Sequence, residues 1–216
     1  MGKLPSGPFG PMQGTTGNLT AYMLNGQNVV RINPNSNAQP RKRDSPAQLS
    51  NQQQLKVVNE FLDPILPLLK AGYSIAALNS TKNYYNLALS HNKRFALKGD
   101  YPNIEIDYPN AMFSEGELLP AINPVAELVP EGIKFSWDQA DGSVNSRNFD
   151  QVMVLAYGTI SKRVRYIRYG VERQKGLVVL HIIDNLINEP METYISFIND
   201  ERTVVANSMY TGLVGG

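Results

Sequence analysis

The chain has 216 residues, 42% of them hydrophobic, and no cysteine. This is the length of one ordinary domain or two small ones, with enough apolar side chains for a core that needs no disulfides. The missing cysteines exclude disulfide scaffolds, cysteine-ligated metal sites and thiol nucleophiles. The net charge of +1 divides unevenly, because residues 1–98 carry eleven basic and three acidic side chains (+8) and residues 99–216 carry nine and sixteen (−7). Such asymmetry indicates a polar interaction surface.

The first 17 residues are rich in glycine and proline, which predicts an irregular arm. They contain no apolar run of the kind that forms a signal peptide. No segment of the chain reaches the roughly 18–20 consecutive apolar residues of a membrane helix. We therefore expect no membrane span and synthesis in a cytoplasm, with a virion or an extracellular assembly as the final location.

Residues 18–32 carry the clearest local signal. Two runs with apolar residues flank Asn25-Gly26, a pair that supplies the positive φ angles of a type I′ turn, so the pattern predicts a β-hairpin. An isolated hairpin is only marginally stable in water. We expect it to join a larger sheet, in this chain or in a neighbouring copy.

Residues 45–98 have helical periodicity. Ser45-Pro-Ala-Gln48 forms a capping box that opens the first helix. Pro64 is expected to interrupt this helix, Gly72 to end a second short one, and a third to extend from near Ser80 to Gly99.

From residue 99 onward the pattern changes to short strands separated by turn signals, with Trp137 expected in the core. This favours an antiparallel immunoglobulin- or fibronectin-like β-sandwich, although a small barrel fits the same pattern. The predicted fold class is α+β, mainly β. Its parts are an arm, hairpin and linker (1–44), a helical segment (45–98) and a sandwich domain (99–216). The predicted strands lie at 104–108, 111–119 (as a hairpin), 133–137, 151–157, 164–171, 177–182, 192–197 and 203–210.

The sequence offers little for catalysis. The two histidines, His91 and His181, are far apart and lack metal-ligand spacing. Phosphate-binding, dinucleotide-binding and nucleophile-elbow motifs are absent. Glu105 and Asp107 alternate on one strand face, as a glycosidase pair would, but so do many solvated strand residues. We expect a protein that is not an enzyme, with no catalytic residue, cofactor or metal.

Basic and aromatic residues alternate over 161–175, a composition suited to nucleic acid. The strand belongs to the acidic half, however, and cross-strand pairing of its arginines with carboxylates is the stronger interpretation. Nucleic acid is therefore not the expected partner. The candidate basic surface consists of Arg41, Lys42, Arg43, Arg163, Arg165 and Arg168.

Several short motifs recur in the order in which one known family has them. They are Gly7-Pro-Phe-Gly10, Tyr22–Arg31, Phe61-Leu-Asp-Pro64, Tyr101–Tyr108, Phe113–Gly116, Phe135-Ser-Trp137, Asp150–Tyr157, Glu192–Phe197 and Ser208–Gly212. In these the chain resembles the domain-of-unknown-function 6266 family, which is frequent in Bacteroidota and their mobile elements. The resemblance implies no particular activity. Recurrent glycine, proline, apolar and aromatic residues imply a scaffold that assembles.

These observations predict a structural protein that self-associates through its arm and hairpin, as a virion component or filament subunit. The basic half of one copy would meet the acidic half of the next. The expected partners are further copies of the chain, and other virion or surface proteins are secondary candidates. The alternative is a glycan- or surface-binding module in which Tyr169 or Tyr210 stacks on sugars. The candidate assembly interface consists of Phe9, Met12, Tyr22, Leu24, Val29 and Arg31.

Overall fold

The computed structural model describes residue 3 and residues 10–24, 26–33, 44–78, 80–139, 148–182 and 189–215. The chain divides into two compact units, Met1–Ala47 and Gln48–Gly216. Of the described residues, 39% are in strands and 28% in helices, which confirms the predicted α+β, mainly β fold class.

The first unit contains a three-stranded antiparallel sheet in the order β1-β2-β3, formed by Gly14–Thr16, Leu19–Leu24 and Gln27–Ile32. Leu24 pairs with Gln27, so β2 and β3 form a tight hairpin, and Gly26 has the positive φ (+78°) that such a turn requires. The predicted hairpin is confirmed. Strand β1 was not predicted, because its residues lie in the glycine-rich segment that indicated an irregular arm.

The second unit begins within the first turn of helix α1 (Pro46–Leu62), which is followed by α2 (Leu66–Leu78) and α3 (Tyr84–Phe95). Pro64 lies in a 3-10 turn, Asp63–Ile65, that joins α1 to α2 without a break. The expected helix end at Gly72 is wrong, since α2 continues for six residues beyond it. A side chain at position 72 would collide with the backbone at Phe113 and Ser114, so this glycine serves close packing instead.

The helical segment Pro46–Leu78 has 33 residues and is long and apolar enough to pass a simple test for a membrane span. Of its most apolar window, 44% is buried inside the fold. Core helices of soluble proteins pass the same test, so the segment is not a clear membrane span.

A two-stranded ladder joins β4 (Leu97–Lys98) to β5 (Glu105–Ile106). Among the described residues, seven further strands form two facing sheets. They are β6 (Ile122–Val129), β7 (Gly132–Asp138), β8 (Gln151–Gly158), β9 (Val164–Ile167), β10 (Leu177–His181), β11 (Met191–Ile198) and β12 (Met209–Val214). One sheet has the order β10-β7-β6 and the other β12-β11-β8-β9. If these seven strands are lettered A, B, C, C′, E, F and G in chain order, the sheets are A-B-E and G-F-C-C′, an immunoglobulin/fibronectin-like arrangement.

Several strand predictions need correction. The strands predicted at 104–108 and 164–171 are shorter, since β5 covers only Glu105–Ile106 and β9 only Val164–Ile167. Residues 111–119 do not form a hairpin but run as irregular backbone, anchored where Glu115 N donates to Gly72 O and Ser208 N to Ser114 O. Strand β6 was missed because Pro124 and Asn123 interrupt its alternation, and the structure accommodates them in a register shift. Strand β12 begins at Met209 rather than Thr203.

The second unit has three layers, with the β12-β11-β8-β9 sheet between the helices and the other sheet. Side chains of β8 alternate between two cores. Met153, Leu155 and Tyr157 belong to the helix-side cluster, and Val152 and Val154 to the cluster between the sheets. The helix side adds Phe61, Leu62, Leu68, Leu69 and Tyr73, and the sandwich core adds Ile133, Phe135, Trp137, Leu180, Ile195 and Phe197.

A buried ion pair lies at one end of the sandwich. Arg173 and Asp150 are about 2% and 1% exposed, and Arg173 Nε donates to Asp150 Oδ2 at 3.1 Å. The guanidinium also donates to the carbonyls of Leu119 and Pro120 and lies 3.7 Å from the Phe197 ring centroid. The Arg173 carbonyl accepts the indole N–H of Trp137, the predicted core residue. One arginine therefore connects both sheets with the segment that leads into β6.

Replacing one member of this pair should destabilise the protein strongly. In Asp150→Asn, Arg173 stays buried without its counter-charge, and we expect a loss of about 3–5 kcal/mol in the free energy of unfolding. The matched control is Glu127→Gln, which removes an exposed ion pair with Lys134 and should cost less than about 1 kcal/mol. Urea unfolding at neutral pH measures both, and equal small losses would contradict this account.

Several tyrosines lie in or beside the helix-side core. Burial raises the pKa values of Tyr73, Tyr157 and Tyr194 well above the ordinary range. Burial, with a hydrogen bond to Asp63, also raises the pKa of Tyr85 to about 12. In each case the native fold favours the neutral phenol over the phenolate.

This preference fixes the pH dependence of stability in alkali. Each phenol has a higher pKa in the folded than in the unfolded chain, so its contribution is present below about pH 10 and is lost as the pH rises through the folded value. We expect urea midpoints to fall steadily above about pH 10, with the phenolate absorbance of the buried tyrosines appearing together with unfolding. Tyr85→Phe should make the fall shallower, and Tyr101→Phe, at an exposed ring, is the control. A midpoint that is constant into strong alkali would refute the prediction.

Candidate assembly surface and cationic pocket

The N-terminal sheet exposes apolar side chains on both faces. Because paired residues of antiparallel strands share a face, Tyr22 and Leu24 lie on one face with Val29, while Met23 and Val30 lie on the other. Tyr22, Leu24 and Met23 are each about 40% exposed and Val30 52%. Ile32, at the end of β3, is 71% exposed. Scattered apolar side chains are normal on a surface, but this density on one small sheet is not.

Among the described residues, β3 pairs only with β2 and is therefore an edge strand of this sheet. Asn33 N donates to Asn18 O, so these residues form a hydrogen-bonded pair. Hydrogen-bonded and non-hydrogen-bonded pairs then alternate along the ladder from this point. By that alternation, the backbone groups of Asn28, Val30 and Ile32 point away from β2. Neither a proline nor a bulge interrupts these six residues. The edge is thus open for pairing with a further strand.

The predicted assembly residues are partly brought together. Tyr22, Leu24, Val29 and Arg31 share the face on which Thr20 donates to Asn33 Oδ1 at 2.7 Å. Met12 is half-buried and precedes β1. Phe9 lies outside the described residues.

The predicted basic surface is divided. Arg41, Lys42 and Arg43 lie outside the described residues. Arg163 is exposed before β9, and Arg165 pairs with Ala156, whose side chain lies in the sandwich core. Arg168 instead lines a pocket against α2. Arg163, Arg165 and Arg168 therefore do not share one face of the sheet.

That pocket is cationic, and sequence reasoning missed two of its three charged residues. Lys70 from α2, Arg168 from the segment after β9 and Arg202 from the loop before β12 line a cavity of about 330 Å³. These positions are far apart in the chain and belong to no motif. Only the packing of α2 on the sheet brings them together.

The residues considered for catalysis do not converge. His91 packs against Phe95, and burial lowers its pKa, whereas His181 is exposed at the end of β10. Asp107 accepts a hydrogen bond from Asn110, and Glu105 lines a separate pocket. Across the described ranges, no three His, Asp or Glu side chains are grouped as a metal site would require.

The architecture defines a fibronectin-like β-sandwich protein with a helical layer and a separate N-terminal sheet. The chain belongs to the family of unknown function DUF6266, whose model matches residues 11–212. The resemblance drawn from its motifs is therefore confirmed. Neither the curated proteins nor the solved structures gave a match.

Proposed function

We propose that this protein is a non-enzymatic structural subunit that assembles with copies of itself through its N-terminal sheet. The observation that carries the proposal is the open edge of β3 on a sheet with exposed apolar side chains. A three-stranded sheet of 3-, 6- and 6-residue strands has little core of its own. Pairing with a strand of another copy would satisfy its outward backbone groups and cover these side chains.

The edges of the sandwich contrast with β3. Strand β6 has a register shift, Pro124, and a positive φ at Asn123 (+45°). Strand β9 is only four residues long and contains Arg165. These are devices by which proteins protect sheet edges from unwanted pairing. Strand β3 also carries an arginine, Arg31, but it has six residues and neither a proline nor a register shift. This supports a role for that edge in association.

Charge supports a second copy of the chain as the partner. Residues 1–47 carry five basic side chains and one acidic side chain, whereas residues 48–216 carry fifteen and eighteen. The N-terminal unit of one copy (+4) is therefore attracted to the larger unit (−3) of another. A contact between two different surfaces repeats from copy to copy and gives rings or filaments. A filament subunit or virion component is the role that fits such an assembly.

The proposed glycan alternative has less support. Tyr169 and Tyr210 are half-buried rather than exposed. Two guanidinium groups lie against Tyr169, and the Tyr210 hydroxyl donates to Glu192 at 2.6 Å. The Tyr169 ring is thus already in contact with cations and the Tyr210 hydroxyl with a carboxylate, which leaves less of each side chain for contact with a sugar.

Val30→Pro tests the proposal on the full-length protein. Proline removes the N–H that points outward at position 30 and leaves the bonds between β2 and β3 in place. Val30→Ala removes most of the same side chain but keeps this N–H, so it is the matched control. We expect sedimentation and electron microscopy to show oligomers for wild type and Val30→Ala, and a shift to monomers for Val30→Pro.

Two further measurements keep this test decisive. Ile32→Lys adds a charge to the same edge without a proline and should also weaken assembly. Added salt should lower the association of the wild type, because the attraction between the units is screened. A wild-type protein that stays monomeric at high concentration, or oligomers that survive both edge substitutions, would overturn the proposal.

A further inference from the structure

We propose that the cationic pocket formed by Lys70, Arg168 and Arg202 binds a phosphate group. The pocket lies between α2 and the loops beside β9 and β11. Its other lining residues are Ala71, Ser74, Ile75, Tyr169 and Ile198. All belong to the second unit, so this site is independent of the N-terminal sheet.

Among the residues that the structure describes, no carboxylate lies beside the three cations. No acidic side chain lines the pocket, and the ion pairs found among the described residues involve none of Lys70, Arg168 and Arg202. The acidic residues nearest to Arg202 in sequence are Asp200 and Glu201, which are exposed and do not line it. Like charges gathered without a counter-charge repel one another, and a bound anion would relieve this repulsion.

Tyr169 positions both arginines. Arg202 Cζ lies 3.9 Å and Arg168 Cζ 4.9 Å from the centroid of its ring, so the two guanidinium groups are within about 9 Å of each other. A cation–π contact occupies the face of a guanidinium group but not the N–H donors at its edge. In the described part of the chain, neither arginine side chain donates a hydrogen bond, so these edges are available to a ligand.

This donor set matches phosphate better than carboxylate. Arginine binds phosphate oxygens through two parallel N–H bonds, and lysine adds a compact third charge. A phosphate monoester carries about −1.5 to −2 charges at neutral pH, against −1 for a carboxylate, and so neutralises more of the pocket. The cavity of about 330 Å³ exceeds the needs of one phosphate group. Inorganic phosphate and the phosphate of a small monoester are therefore both candidate forms of the ligand.

The test is titration calorimetry of the full-length protein at constant ionic strength, with inorganic phosphate, glycerol phosphate and acetate as probes. We expect binding of at least one of the two phosphates and weaker or undetectable binding of acetate. Tighter binding of glycerol phosphate would identify a monoester as the ligand, and equal or tighter binding of inorganic phosphate would identify the free ion. No binding of either phosphate, or equal binding of acetate, would overturn the proposal.

Matched substitutions locate the site. The double variant Arg168→Gln/Arg202→Gln should weaken phosphate binding at least about tenfold, because it removes charged donors. Arg163→Gln makes the same chemical change at an exposed residue away from the pocket and should change affinity less than about twofold. Equal losses in both would show non-specific attraction and refute the site.

Substitutions of Tyr169 test whether its ring positions the two arginines, because they leave all three positive charges in place. Tyr169→Phe keeps the ring and should bind phosphate like the wild type. Tyr169→Leu keeps all three cations but loses the surface that orients two of them, so its affinity should fall. Urea midpoints recorded alongside verify that each variant is folded under the conditions of titration. If Tyr169→Leu is folded and binds like the wild type, the positioning role of the ring is wrong.

Discussion

Strands β8 and β11 are buried on both faces, and the rest of the second unit is arranged around them. They pair along eight residues, from Met191 opposite Gly158 to Ile198 opposite Gln151. A sheet that is apolar on both faces must be covered on both. The helices cover one face and the β10-β7-β6 sheet covers the other, which gives three layers rather than the two of a simple sandwich.

Such deep burial restricts where polar groups occur. Ser114 Oγ donates to Ser196 Oγ at 2.8 Å, and Ser208 Oγ accepts the backbone N–H of Phe113 at 3.0 Å. Asn92 bonds the backbone of Met112 through both ends of its amide. These bonds attach the irregular segment 111–119 to α3, to β11 and to the residue that precedes β12. Polar side chains thus hold in place a stretch of backbone whose ladder pairing is a single bridge, Leu118 with Ala206.

Within the second unit, strands β6 and β9 carry features that hinder edge pairing, and the buried charges of Arg173 and Asp150 pair with each other. Two other features have no partner among the described residues. They are the outer edge of β3 in the N-terminal sheet and the pocket of the second unit in which no carboxylate faces Arg168 and Arg202. The proposed assembly is based on the edge of β3, and the proposed phosphate site is based on the cationic pocket. They lie on different elements, so either can be tested without the other.

The sequence by itself determined the local elements whose signals are strong. Asn25-Gly26 predicted the β2–β3 hairpin because few residues adopt the positive φ angles of its turn. Alternation and turn residues located β7, β8, β10 and β11, and motifs spread along the chain identified the family. These features depend on neighbouring residues, and so a linear pattern is enough to find them.

The other features could be found only from the tertiary structure, because they depend on contacts between segments that are distant in the chain. Gly72 has the sequence signature of a helix end, yet α2 continues because Phe113 and Ser114 pack against it. The alternation at 111–119 resembles a hairpin, but its backbone bonds are made with α2 and with Val205 and Ser208. Lys70, Arg168 and Arg202 share no motif and meet only where α2 crosses the sheet. The sequence pattern shows which secondary structure each segment prefers, and tertiary packing determines whether the segment adopts it.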